Sequence, residues 1–156
     1  MRKFSKEQID GARSHFQTQG HEEVQVTLGT RTFSYFVIPQ SNEPNLQNFV
    51  LRLTGELEDG YVLGISNEVP EEFRQYAVAH EYIEFMELGR DMKDSCVTSL
   101  DRELQLVPEN IKPDYVRMRL DFFRNLIPYC SAQPQNYSPD DLMQFQRNVD
   151  TLEQHL

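Results

Sequence analysis

Between Glu71 and Leu88 the chain carries Phe73, Tyr76, Ala77, Val78, Ala79, Tyr82, Ile83, Phe85, Met86 and Leu88, which would clothe a helix in apolar side chains on nearly every face. Such a helix has to be buried. In its middle stand His80, Glu81 and Glu84. A buried carboxylate without a partner is so costly that it must find a cation, a donor or a proton. Any fold of this chain therefore has to bring compensating groups to this helix. Pro70, Glu71 and Glu72 suit its first turn, with acidic residues near the positive end of the dipole, and Gly89 suits its end.

His80 and Glu84 are four residues apart, so they project from one helix face about one turn apart and can converge on one ion. Glu81 lies about 100° around the axis, where it can act on a water held by that ion. This is the logic of the zinc-helix motif, two ligands at i and i+4 with a general base at i+1. The sequence here is His80-Glu81-Tyr82-Ile83-Glu84, with glutamate in the second ligand place where the usual motif has histidine. The competing account of the same residues is structural: hydrogen bonds, with Arg117, Arg119 or Arg124 of a neighbouring helix compensating Glu84.

Around this helix the pattern predicts helix, four strands, then four helices. Ser5 with Gln8 three residues on caps a first helix to about Gln19, stopped by Gly20. Glu23 to Leu28 and Thr32 to Ile38 alternate around Leu28-Gly29-Thr30-Arg31 as a hairpin does. Phe49 to Leu57 and Tyr61 to Ser66 form a second pair across Glu58-Asp59-Gly60. The buried helix reaches Leu88. Further helices fit Ser95 to Leu106 with Asp94 as a cap, Asp114 to Leu126 before Pro128 as a terminator, and a last one from Ser138 and Pro139, which the segment from Pro128 to Pro139 leaves free to pack loosely. Tyr76 and Tyr82 read as core, and His15, His21 and His155 as exposed.

A length of 156 residues suits one domain, with 38% hydrophobic and 26% charged residues, the balance of a folded chain. The formal charge of −10 disfavours a nucleic acid partner. The N-terminus leads into a polar segment without an apolar run, so neither a signal peptide nor a membrane span is expected, and the expected address is cytoplasmic. Cys96 and Cys130 make no disulfide framework and are expected reduced.

Gly60-Tyr-Val-Leu-Gly-Ile-Ser-Asn67, then Pro70-Glu-Glu-Phe-Arg-Gln-Tyr-Ala-Val-Ala-His-Glu81, resembles the compact zincins that include the phage-repressor-cleaving metallopeptidases of mobile elements. Leu100-Asp-Arg-Glu-Leu-Gln-Leu-Val-Pro108 is similar to the leucine-rich, proline-terminated end of the next helix in that family. The match covers about a third of the chain. The resemblance implies a third ligand from that helix, commonly glutamate. Aligned on the proline, its place falls at or beside Cys96, while Glu103, seven residues on along the same face, has the more family-like side chain, and both remain candidates.

The expectation is thus a single zincin-like α+β domain over 1–156: an N-terminal helix in 1–20, a small antiparallel or mixed sheet of about four strands in 21–67, the motif helix and its successor in 69–108, and C-terminal helices in 109–156. A divalent metal, zinc first, would be held by His80, Glu84 and either Glu103 or Cys96, with Glu81 as base in a peptidase-like hydrolase. Imidazole, carboxylate and thiolate all ligate zinc, and more carboxylate shifts preference towards manganese or iron. A second anionic ligand makes the ion a poorer Lewis acid. The alternative is a non-catalytic, zincin-like binding or regulatory protein. The expected partner is a peptide or protein, which could add as an extended strand to the edge of Tyr61 to Ser66, and neither nucleic acid nor membrane.

Overall fold

The computed structural model describes residues 5–39, 48–52, 61–89 and 92–156, and these form an α+β protein of five helices on a small mixed sheet. Helix α1 (Lys6–Thr18) begins at a capping box in which Ser5 and Gln8 exchange side-chain and backbone bonds, and Gly20 at φ 75° turns the chain away after it. Strands β1 (Glu23–Leu28) and β2 (Arg31–Ile38) form the expected antiparallel hairpin, in register from Glu23 opposite Phe36 to Leu28 opposite Arg31. Gly29 at φ 64° supplies the left-handed backbone its two-residue turn needs. Strand β4 (Tyr61–Ser66) pairs parallel to β2, and the segment Asn48–Arg52 (β3) runs antiparallel along the other side of β4. The Glu58-Asp59-Gly60 turn expected between β3 and β4 lies outside the described residues.

Both faces of β2 carry buried residues, because a helix lies over each. Phe36 and Ile38 with Val62 of β4 pack against Phe16 of α1, the Phe16 and Phe36 rings 5.4 Å apart. Phe33 and Tyr35 with Leu63 and Ile65 face the main core, built with Phe73, Tyr76, Ala77, Val78, Ala79 and Ile83 of the motif helix and with Leu100, Tyr115, Phe123 and Leu152 of later helices. Tyr76 and Tyr82 both belong to this packing, Tyr82 stacking on Phe33.

The motif helix is α2 (Glu71–Tyr82), and it does not stay α-helical to Leu88. Ile83–Leu88 are wound as a π-helix, ended by Gly89 at φ 83°. An apolar run offers no periodic signal that separates an i→i+4 ladder from an i→i+5 one, and π segments of this kind concentrate at functional sites. Helix α3 (Ser95–Leu106) has the expected bounds. Asp94 stands at its N-cap but makes no side-chain cap; it is held left-handed at φ 58° and accepts from Arg147 Nη1 at 2.9 Å.

Helix α4 (Lys112–Ser131) runs through Pro128, which the sequence suggested as its terminator. A proline removes one donor and clashes with the preceding turn, and here those losses fall in the last turn, at an exposed residue. Helix α5 (Pro139–Glu153) opens on a Ser138–Asp141 capping box and is not loosely attached: Gln144, Asn148, Val149 and Leu152 are buried, and Arg124 of α4 donates to Glu153 at 2.8 Å. Cys96 and Cys130 are free and buried. Among the described residues no helix is long and apolar enough to cross a membrane.

Pro128→Ala should raise the unfolding free energy by about 1–3 kcal/mol, since a helical proline is that much less favourable than alanine. The readout is a higher urea midpoint at unchanged slope; an unchanged midpoint would mean that α4 stops before Pro128.

Candidate metal centre

The polar residues of the motif helix meet the later helices deep in the protein. His80 is 2% exposed and Cys96 6%, while Glu103 and Arg119 are sealed from solvent. Glu84, in the first turn of the π-helix, keeps 14% of its side-chain exposure and is the most open of the close-set donors. His80 comes from α2, Cys96 and Glu103 from α3, and Arg119 from α4.

Three donors converge on one point. His80 Nε2 is 3.3 Å from Glu84 Oε2 and 3.5 Å from Cys96 Sγ, and one ligand atom from each residue lies within 4.8 Å of the other two. Ligand bonds of about 2.0–2.3 Å in a tetrahedron put neighbouring donor atoms about 3.3–3.7 Å apart. Two of the three separations match that spacing. The donor set of imidazole, carboxylate and thiol could hold a divalent metal ion.

Glu103 is not in this set. Its Oε1 lies 3.5 Å from the other ring nitrogen, His80 Nδ1. One ion cannot be ligated through both nitrogens of one ring, so of the two candidates for third ligand the geometry groups Cys96 with His80 and Glu84 and sets Glu103 behind the imidazole. The seven-residue spacing could not separate them, because it only puts both on one helix face.

The arginines also sort differently from the structural account of Glu84. Arg119 binds Glu103 in two places, Nε donating to Oε2 at 3.2 Å and Nη2 lying 3.0 Å from Oε1. Arg117 pairs with Asp114, and Arg124 with Glu153. Glu84 instead takes His80 and the Ser95 hydroxyl, which donates at 3.4 Å. The Arg119 guanidinium also lies against the adjoining Phe122 and Phe123 rings of its own helix, 4.9 and 5.0 Å from their centroids. A planar, permanently charged group suits that slot, and an ammonium does not.

Backbone and α5 contacts fix the ligands further. Ser99 donates to the His80 carbonyl at 2.6 Å, close to where the α ladder gives way to the π ladder. Asn148 Nδ2 donates to Cys96 Sγ at 3.3 Å, and Gln144 Oε1 accepts from the Cys96 backbone at 3.0 Å. Asn148 and Gln144 went unnoticed in the sequence, where they look like ordinary polar residues of an amphipathic helix; only tertiary packing turns them inward.

The surroundings favour the protonated forms of His80, Cys96, Glu81 and Tyr115. Burial opposes charge on His80, yet the Cys96 sulfur and the Glu103 and Glu84 carboxylates raise its pKa well above the usual value. Burial, then Glu84, raises that of Cys96. Glu81, partly exposed, is pushed up to about 7 by burial of its carboxyl, with His80 opposing and Glu84 adding. Burial and Glu103 raise Tyr115 as well. The centre holds more acidic than basic groups, with Arg119 as its permanent cation.

Among the described residues strand β4 is paired with β3 over Tyr61 to Ile65 and with β2 over Gly64 to Ser66, so it is an inner strand and not the open edge expected for an extended peptide.

Arg119→Met leaves Glu103 buried without its partner and should cost about 3–5 kcal/mol of stability. Glu103→Leu combined with Arg119→Met should recover most of that loss in chemical denaturation. A double variant as unstable as the single one would contradict a buried pair.

Comparison with family models, with curated proteins and with solved structures yields no match for this chain.

Proposed function

We propose that this chain binds one divalent ion, zinc by its donor set, through His80, Glu84 and Cys96, and that it is a zincin-like, metal-dependent hydrolase of peptide-like substrates with low turnover. The observation that carries the reading is the convergence of His80 Nε2, Glu84 Oε2 and Cys96 Sγ at ligand-like separations. Three protein ligands leave a fourth position for water or substrate, as catalytic zinc sites do.

A zinc ion held there would acidify a water and polarise the carbonyl under attack. The chain's own residues supply the rest. Glu81 follows His80 on the same helix, in the place where the motif sets the base that takes a proton from the attacking water and returns it to the leaving amine. Glu84, the most exposed ligand, marks the side from which water would enter. Ser99 and Asn148 fix the His80 backbone and the Cys96 sulfur. Two anionic ligands, Glu84 and the Cys96 thiolate, would neutralise a divalent ion and weaken it as a Lewis acid, which is why turnover is expected to be low.

The depth of the site favours a second reading, a non-catalytic zincin-like module that keeps the ion for stability. His80 at 2% and Cys96 at 6% exposure resemble the enclosed ligands of structural ions.

Protein purified without tag or chelator should carry about one equivalent of zinc by elemental analysis, lost in His80→Ala. No metal after reconstitution would overturn both readings. Glu81→Gln should keep the zinc and abolish cleavage of a quenched fluorescent peptide library. Turnover retained by Glu81→Gln contradicts the mechanism, and a zinc-loaded wild type without turnover, but with a melting temperature that chelation lowers, supports the non-catalytic module.

A further inference from the structure

The two nitrogens of His80 face different surroundings. Nε2 looks onto Glu84 and Cys96, and Nδ1 looks onto Glu103 Oε1 at 3.5 Å. Nδ1 is buried and makes no hydrogen bond among the described residues, and the acceptor atom 3.5 Å from it is Glu103 Oε1, whose other neighbour is Arg119 Nη2 at 3.0 Å. A neutral imidazole that gives its Nε2 lone pair to an ion carries its proton on Nδ1, and a buried N–H needs an acceptor.

The acceptor is itself fixed. Arg119 grips the Glu103 carboxylate through Nε and Nη2, with its guanidinium resting against Phe122 and Phe123 of the same helix, so α4 holds α3 and α3 faces α2 across the ring. Phe123 also lies against the imidazole, its centroid 6.3 Å from that of His80.

We infer that Glu103 is a positioning residue of the proposed metal centre: it accepts the Nδ1 proton of His80, turns Nε2 towards the ion, and is held for that task by Arg119. The inference rests on the metal-binding reading above and goes beyond it, because it gives Glu103 a role through the histidine where the family resemblance implied a direct ligand. Partners of this kind set the tautomer of a ligating histidine and raise its basicity.

The test uses the full chain labelled with ¹⁵N-histidine and loaded with one equivalent of zinc. A long-range ¹H–¹⁵N correlation spectrum, with His80 identified by its loss in His80→Ala, should show a downfield proton on His80 Nδ1 and an unprotonated Nε2. In Glu103→Gln that proton should move upfield, and zinc affinity, read by competition with a chromophoric chelator, should fall about 10–100-fold. Arg119→Lys should move both in the same direction. Zinc bound with His80 Nδ1 unprotonated overturns the inference, as does a Glu103→Gln variant whose Nδ1 proton is unmoved and whose affinity stays within about twofold of wild type. If Glu103→Gln fails to fold, the tautomer in the wild type still decides. A wild type that takes up no zinc, or takes it up on Nδ1, overturns the metal-binding reading and this inference with it, whereas zinc on Nε2 with an Nδ1 proton and an affinity that Glu103→Gln leaves unchanged overturns this inference alone.

Discussion

The pairing of Glu103 with Arg119 underlies the whole centre. Each ion alone would be costly to bury, and removing either partner leaves a charge in the core. Together, with the guanidinium against the adjoining Phe122 and Phe123 rings, they form a polar strut from α4 to α3. Its far end is the Nδ1 edge of His80. The imidazole is thereby confined on one side by carboxylate, and its other nitrogen is left to the three-donor cluster with Glu84 and Cys96. A purely apolar core of the same volume would be easier to build, so what the strut supplies is orientation.

The rest of the fold sets the distances. The sheet presents Phe33, Tyr35, Leu63 and Ile65 as a platform for α2, and α1 covers the opposite face, so the motif helix lies against an ordered surface. The change to a π ladder after Tyr82 puts Glu84 in its first turn, and Ser99 bonds the His80 carbonyl one turn earlier. Helix α5 closes the cluster by sending Asn148 to the Cys96 sulfur and Gln144 to the Cys96 backbone. Four helical segments therefore contribute to one small volume, and a shift in any of them changes a donor distance.

Much of this was legible in advance, for identifiable reasons. Capping residues wrote the starts of α1 and α5, and a glycine turn wrote the β1–β2 hairpin, because those signals are local. The pairing of His80 with Glu84 followed from helical periodicity. What could not be read depended on contacts distant in sequence. The choice between Cys96 and Glu103 needed the orientation of a ring. The destination of Arg119 needed the packing of α4, and the flanking of β4 on both sides needed a register that crosses the sheet. The π segment and the passage of α4 through Pro128 were missed because an apolar run hides its period and because a proline near a helix end costs less than one in the middle.

The central claim is that Glu84 and Cys96 join His80 as ligands to one ion while Glu103 stands behind the imidazole. X-ray absorption at the zinc edge of the loaded protein tests it most directly. The account predicts one sulfur at about 2.3 Å and nitrogen or oxygen neighbours at about 2.0–2.2 Å, with the sulfur shell lost in Cys96→Ser. A first shell of nitrogen and oxygen alone, unchanged in Cys96→Ser, would contradict it.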